Sequence, residues 1–351
     1  MTPAGNAHPP WLSQGKVSVL GSGSALPGAA VDTDRLITML ELRFGLSRGR
    51  EARAVARRLA IHQRHISRAF DAANEAPRAG QSNPELCAQA VQAALSDAGL
   101  KASDLGYLIG HTTTPVQLLP GNVAMVADEL GYGGPHLELR QACTGFANAL
   151  MIAFGLMAMP GARPVAIVGS ETGSLFFDPA RVAQDSGQLV NLVQMGDAAA
   201  AMIIGPADAA KDGISAAWFG ATGLGRAPGL QLHYGKREFD HDFAGILAGG
   251  GMLFDAGKAA AVAQNCALDS ADFIVPHQVN GGIGEQLARH FGLPVERFFV
   301  QADRVGNTGS AAIWLALDTL RKNELTPGKR VVALGAEATK YMYGGFAYDH
   351  G

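Results

Sequence analysis

Cys143 stands between the polar run Glu138-Leu-Arg-Gln141 and the small and apolar residues Thr144 to Leu150. That setting predicts the first turn of a buried helix. A helix N-terminus carries partial positive charge and unpaired N–H groups, so a thiol there is expected to ionise readily and serve as a nucleophile. Ala142, Thr144, Gly145, Ala147 and Ala149 leave space beside the sulfur. The commoner fate of a lone cysteine is burial as an inert side chain, and that reading is kept for Cys87 and Cys266. His277 ends the apolar run Ile274-Val-Pro276 and precedes Gln278-Val-Asn280-Gly-Gly, a pattern that delivers an imidazole to the carboxyl end of a strand. His111 ranks below it, and His62, His65, His233 and His241 lie in charged settings that do not single them out. Asn307, in Arg304-Val-Gly-Asn-Thr-Gly, could donate to a developing oxyanion without titrating near neutral pH. It is equally a favoured helix N-cap, and the two roles are compatible.

The elements that must carry these residues alternate. Residues 16–24, 107–113 and 163–171 read as buried strands. Residues 85–100 read as an amphipathic helix with Asn83 as N-cap, Pro84 at its first position and Gly99 near its end. The apolar run 149–159 stops at Pro160 and reads as a core helix. This alternation predicts an α/β fold whose central strands are covered on both faces.

An internal repeat relates the candidates. Tyr107-Leu-Ile-Gly-His111 resembles Phe273-Ile-Val-Pro-His277 at an offset of 166, and Cys143-Thr-Gly-Phe-Ala resembles Asn307-Thr-Gly-Ser-Ala at 164. Val165-Ala-Ile-Val-Gly169 resembles Val331-Val-Ala-Leu-Gly335, again at 166. Three landmarks in one order predict two copies of one α/β unit. The expected halves are 1–210 and 211–351, joined near residues 205–213. Equivalent positions face each other across a pseudo-twofold axis, so Cys143, Asn307 and His277 are expected to meet.

Composition bounds the function. A formal charge of -3 argues against a general nucleic-acid binder. Three cysteines without a C-x-x-C pair disfavour a disulfide framework or a zinc site and fit a reducing cytoplasm. The N-terminal residues lack a basic region followed by an apolar core, so no signal peptide is expected. The longest apolar run has 11 residues, too short to span a bilayer. Gly21-Ser-Gly-Ser-Ala-Leu-Pro-Gly28 lacks phosphate-loop spacing and reads as a strand-end turn.

These motifs together resemble the 3-oxoacyl-(acyl-carrier-protein) synthase III family of the thiolase superfamily. The resemblance rests on Ala142-Cys143-Thr-Gly-Phe146, Pro276-His277-Gln278-Val-Asn280 and Gly306-Asn307-Thr308. Gln63-Arg64-His65-Ile66, Gly196-Asp197-Ala198 and Gly344-Gly345-Phe346 add to it. It implies a thiolase-like fold of two pseudo-symmetric α/β halves in five layers, α-β-α-β-α, and a homodimer. It implies that Cys143 takes an acyl group from a coenzyme A or carrier-protein thioester. A malonyl thioester on acyl carrier protein then loses carbon dioxide while His277 and Asn307 hydrogen-bond its oxygen. A second oxyanion hole would use the N–H groups of Cys143 and Gly345. Arg58, Leu119 and Asn280 would contact substrate, and no cofactor or metal is implied.

The chain also departs from the family. The tryptophan that partners the tunnel arginine corresponds to Ala54, a second nucleotide-contacting arginine would fall near Leu175, and the basic residue after the histidine motif is replaced around Gly281-Gly282. Leu119 stands where an aromatic residue often lies, which suggests a longer or bulkier acyl group. Residues 43–68 hold eight arginines against one acid, Glu51, either a docking face for an acidic carrier protein or a solvated helix face. An ester- or amide-forming acyltransferase and a non-catalytic partner subunit are the competing readings.

Overall fold

In the computed structural model, which describes residues 8–70, 77–208, 212–233, 235–236 and 238–351, the chain opens with a short strand β1 (Trp11–Leu12) and the first core strand β2 (Val17–Ala25). A first cap segment follows, with β3 (Val31–Asp32), α1 (Thr33–Phe44), α2 (Gly49–Leu59) and β4 (Gln63–Arg64). Then come α3 (Asn83–Ala98), β5 (Tyr107–His111), α4 (Asn122–Leu130), β6 (His136–Leu139), α5 (Gly145–Met157) and β7 (Val165–Glu171). Two further cap helices, α6 (Pro179–Gln184) and α7 (Ser186–Gln194), precede β8 (Ala198–Gly205). The later stretch holds β9 (Gly213–Ala221), β10 (Leu230–Leu232), β11 (Phe239–His241), α8 (Phe243–Ala263), β12 (Phe273–Pro276) and α9 (Ile283–Phe291). It ends with α10 (Ala302–Val305), α11 (Ala312–Asn323), β13 (Arg330–Glu337) and β14 (Met342–Asp349).

The core strands form one hydrogen-bonded path, β12-β13-β14-β9-β2-β8-β7-β5-β6, with β1 paired to β9. Within it, β6-β5-β7-β8-β2 runs parallel, parallel, antiparallel, antiparallel. The run β12-β13-β14-β9 repeats the last three of these pairings, and the Ile274–Phe298 bridge supplies the counterpart of the first. The runs meet where Val17 and Ser18 pair with Ile214 and Gly213.

Period-two patterning explains the layers. On β7, Val165 and Ile167 join one buried cluster with α5 and α11, whereas Ala166 and Val168 join another with α3 and α4. On β13, Val331 and Ala333 face that central cluster, whereas Val332 and Leu334 face α8 and α9. Helices α5 and α11 thus lie between the two halves of the sheet, and the outer helices close a five-layered thiolase-like arrangement. A fourth cluster packs α1, α2 and α7 with Phe177, Val182 and Phe239 into the cap. No described helix is long and apolar enough to cross a membrane.

Local expectations are corrected in detail. The N-cap of α3 is Ser82, whose backbone N–H donates to Glu85 at 2.9 Å, and Asn83 is buried and donates to Thr112 and Thr114. The stretch expected as a strand-end turn is mostly strand, with Gly21 to Ala25 inside β2. A Cβ on Gly21 or Gly23 would stand 2.4 Å from backbone atoms of Ala94, so these glycines let α3 lie directly on the sheet. The N-terminal residues 1–7 and part of the expected junction, 209–211, lie outside the described residues.

Trp314 on α11 is fully buried, stacked on Phe346 at 5.5 Å and edge-on to Phe146 at 5.7 Å. Truncating a buried aromatic loses transfer energy and leaves a cavity, so Trp314→Ala is expected to cost about 3–5 kcal/mol. The urea unfolding midpoint measures this, and a loss of less than about 1 kcal/mol would contradict the packing described.

Candidate active site

The nucleophile candidate lies one step outside its helix. Helix α5 begins at Gly145 with Thr144 as N-cap, so Cys143 precedes the cap instead of occupying the first turn. The loop is held from the far half of the chain. Glu337, at the end of β13, accepts from the Thr144 backbone N–H at 2.9 Å and from its hydroxyl at 2.6 Å. Gln141 donates to the same hydroxyl at 2.9 Å and accepts from Asn148 at 2.9 Å.

Asn307 is positioned by the reciprocal arrangement. Its N–H donates to the Gln194 carbonyl at 2.9 Å, and its own carbonyl accepts from Gly196 at 3.0 Å. Gly306 takes a φ of 73° beside the Met195 carbonyl, where a side chain would collide. The Asn307 side-chain oxygen accepts from Gly309 N–H at 3.0 Å, capping a short turn; the N-cap of α11 itself is Ala311. With the oxygen so engaged, the NH2 group is the side left to donate. Glu171, at the end of β7, accepts from Ser310 at 2.5 Å and from Thr113 and Thr114 hydroxyls. Glu337 therefore holds the loop of Cys143, and Glu171 ties the turn after Asn307 to Thr113 and Thr114.

Cys143 and Asn307 line one cavity. Thr113, Thr114, Glu171 and Gly309 share its wall near them, and Phe177, Met195, Leu230 and Phe239 give it an apolar side. The cavity has a volume of about 110 Å³ and opens to solvent.

His277 is not among the lining residues. It is buried at the carboxyl end of β12, its N–H bonded to the Leu334 carbonyl at 2.8 Å on the strand that ends in Glu337. Its Nδ1 has no hydrogen-bond partner, and burial pushes its pKa down to about 4, so the ring is neutral near pH 7.

The thiol corrects an expectation. Burial, then the carboxylates of Glu337 and Glu171, push Cys143 well above the usual thiol range. The positive helix end expected to acidify it is already occupied by Glu337, so the resting sulfur is protonated. Cys87 is buried, with its thiol raised to about 12, and Cys266 is buried too, as expected of structural cysteines.

The remaining expected residues lie away from the cavity. Gly345 sits inside β14, opposite Leu334 on one side and Trp218 on the other, and not in a closing loop. A side chain there would meet the Ala333 carbonyl at 2.3 Å, so this glycine serves sheet packing. Leu119 is 87% exposed and cannot close this chain's own cavity. Asn280 accepts from Gly282 N–H at 2.9 Å in the turn before α9, and Arg58 is exposed in the last turn of α2. Of the eight arginines in 43–68, Arg64 and Arg68 are buried, Arg53 pairs with Glu41 and Arg48 with Glu51, and Arg43, Arg50, Arg57 and Arg58 are exposed.

Sequence reasoning missed the glutamates and the cap residues of the cavity. Glu171 and Glu337 extend the strand repeat at its own offset of 166, which was the available signal. Asn191, Phe177, Phe239 and His241 belong to no motif. His241, set aside in the sequence, lines the cavity, and burial lowers its pKa to about 4.

A family model described as 3-oxoacyl-[acyl-carrier-protein] synthase III matches residues 137–223, and its C-terminal counterpart matches 262–346. A beta-ketoacyl-[acyl-carrier-protein] synthase III of Rhizorhabdus wittichii is 28% identical over 348 residues, covering 94% of this chain and 96% of that protein. One from Bordetella petrii is 29% identical over 328 residues, covering 90% and 93%. Among solved structures, a 3-oxoacyl-(acyl carrier protein) synthase III from Pseudomonas aeruginosa superposes with a TM-score of 0.79 at 26% identity, covering 95% of this chain and 98% of the other. A tetronic acid condensing enzyme superposes at 0.80 with 25% identity, covering 95% and 99%.

The raised thiol makes a pH prediction. Alkylation needs thiolate, so iodoacetamide labelling of Cys143, read by peptide mass spectrometry, is expected to keep rising beyond pH 9, the ordinary thiol value. Glu337→Gln removes a nearby negative charge and should move the rise to lower pH. A plateau below pH 7 in the unaltered protein would contradict the electrostatics described.

Proposed function

The chain belongs to the 3-oxoacyl-[acyl-carrier-protein] synthase III family of acyl-transferring condensing enzymes, and from that premise we propose that Cys143 is its acyl carrier and that Asn307 and His277 assist the condensation. The observation that carries this reading is the shared cavity, where a sulfur and a carboxamide 164 positions apart in the chain meet beside an apolar wall.

In the first stage the sulfur attacks a thioester carbonyl of coenzyme A or a carrier protein. The thioester C–S bond breaks, and the leaving thiolate takes up the proton that Cys143 loses. Because the resting thiol is protonated, the sulfur needs a base as it attacks, and a neutral imidazole can act as one. In the second stage a malonyl thioester, carried by acyl carrier protein, enters. Its carboxylate leaves as carbon dioxide, and the electron pair of the broken C–C bond forms an enolate. The Asn307 NH2 group and the His277 ring N–H are donors suited to that enolate oxygen. Donors aimed at charge that develops only in the transition state lower the barrier. The enolate carbon then attacks the acyl carbonyl, and the Cys143 sulfur departs.

In the same reading, residues 1–210 supply the nucleophile half and 211–351 the half with His277 and Asn307. The exposed Arg50, Arg57 and Arg58 offer a basic face to an acidic carrier protein. Val116, Leu118 and Leu119, exposed by 42%, 60% and 87%, favour a homodimer in which that loop is covered.

Intact-mass spectrometry after exposure to acyl thioesters is expected to show one added acyl group, lost in Cys143→Ala. Asn307→Ala should still acquire the acyl group, His277→Ala should acquire it more slowly, and both should release carbon dioxide from a malonyl thioester about 10²–10³-fold more slowly. Absence of acyl mass on the unaltered protein would overturn the proposal. Acylation with transfer to a small acceptor, and no carbon dioxide, would favour the ester- or amide-forming reading.

A further inference from the structure

One side chain belongs to two spaces. Phe177 lines the Cys143 cavity and also a neighbouring cleft walled by Phe44, Pro179, Arg181, Lys236 and Glu238. Phe177 therefore lies at the boundary between them. The boundary is anchored on both sides. The Phe177 carbonyl accepts from the buried Arg68 guanidinium, and the following residue, Asp178, caps α6 by accepting from Ala180 N–H at 2.9 Å. Phe239 lies against Phe177 with ring centroids 5.5 Å apart. Its own backbone is held by Gln188, which donates to the Phe239 carbonyl at 2.6 Å and accepts from its N–H at 3.2 Å. Phe177 is 1% exposed and Phe239 8%, so the rings are packed in place and not free to swing.

We infer that Phe177 sets the longest acyl chain that Cys143 can carry, and that longer chains run into the solvent-open cleft behind it once the ring is removed. This inference rests on the acyl-carrier reading of Cys143. Phe177 belongs to the apolar side of the cavity that Cys143 lines, so an unbranched chain that runs along that side is bounded by its ring. Beyond the ring, the cleft is rimmed by the Arg181–Glu238 pair at 2.8 Å and by Lys236, 3.7 Å from Glu238. A chain that reached those charges would end beside a polar rim, so the added space favours chains long enough to fill the former place of the ring without burying the ion pairs.

The test exposes the protein to an equimolar mixture of saturated acyl-coenzyme A thioesters from two to twelve carbons and reads the masses on Cys143. In the unaltered protein the distribution is expected to fall away towards the long end. In Phe177→Ala the dodecanoyl-to-butanoyl ratio is expected to rise at least 10-fold, and in Phe177→Trp to fall. Phe177→Leu keeps an apolar side chain and should give an intermediate rise, which preserves the test if the alanine variant does not fold by circular dichroism. The same length distribution in folded Phe177→Leu, Phe177→Trp and unaltered protein would overturn the inference while leaving acyl capture intact. Absence of any acyl mass on unaltered Cys143 would instead strike the proposed function, and the inference with it.

Discussion

Two buried carboxylates cross the molecule in opposite directions, and the site depends on them. Glu337 reaches from the end of β13 to the loop of Cys143, and Glu171 reaches from the end of β7 to the turn that follows Asn307. Both are almost fully buried, so each needs its hydrogen bonds to offset the loss of water. Each glutamate takes donors from both halves: Thr113, Thr114 and Ser310 for Glu171, and Thr144 and Thr339 for Glu337. The strands bring the loops to one level, and the carboxylates fix their register.

That arrangement has an electrostatic consequence. A carboxylate at the start of α5 stabilises the helix end, but it also stands near the sulfur and disfavours thiolate. The same dry interior keeps His277 neutral. The resting site therefore holds an uncharged thiol and an uncharged imidazole, and charge develops only as reaction proceeds. A site of this kind exposes no permanent thiolate to adventitious oxidation.

The sequence spoke clearly where chemistry coincided with periodicity. Alternation on strands such as Val165–Glu171 marked two buried faces, and the repeated offsets placed Cys143 and Asn307 at matching positions. Reading failed where the partner is remote. The helix-dipole argument for Cys143 counted only neighbours along the chain, whereas burial, and after it the remote carboxylate of Glu337, raises the thiol. Gly344-Gly345 suits a loop or a strand equally well as a string of letters, and the close approach of Trp218 decides for the strand. Phe177 and Phe239 sit in cap segments with no periodic signal, because their packing is set by tertiary contacts.

The most direct measurement of the central claim, that one cavity built from both halves carries the reaction, is a diffraction structure of the protein with an acyl group trapped on its cysteine. The account predicts the chain on the Cys143 sulfur, running towards Phe177 and Phe239, with the Asn307 NH2 group facing the acyl carbon. Acyl density on another residue, or a chain leading away from Asn307, would contradict it.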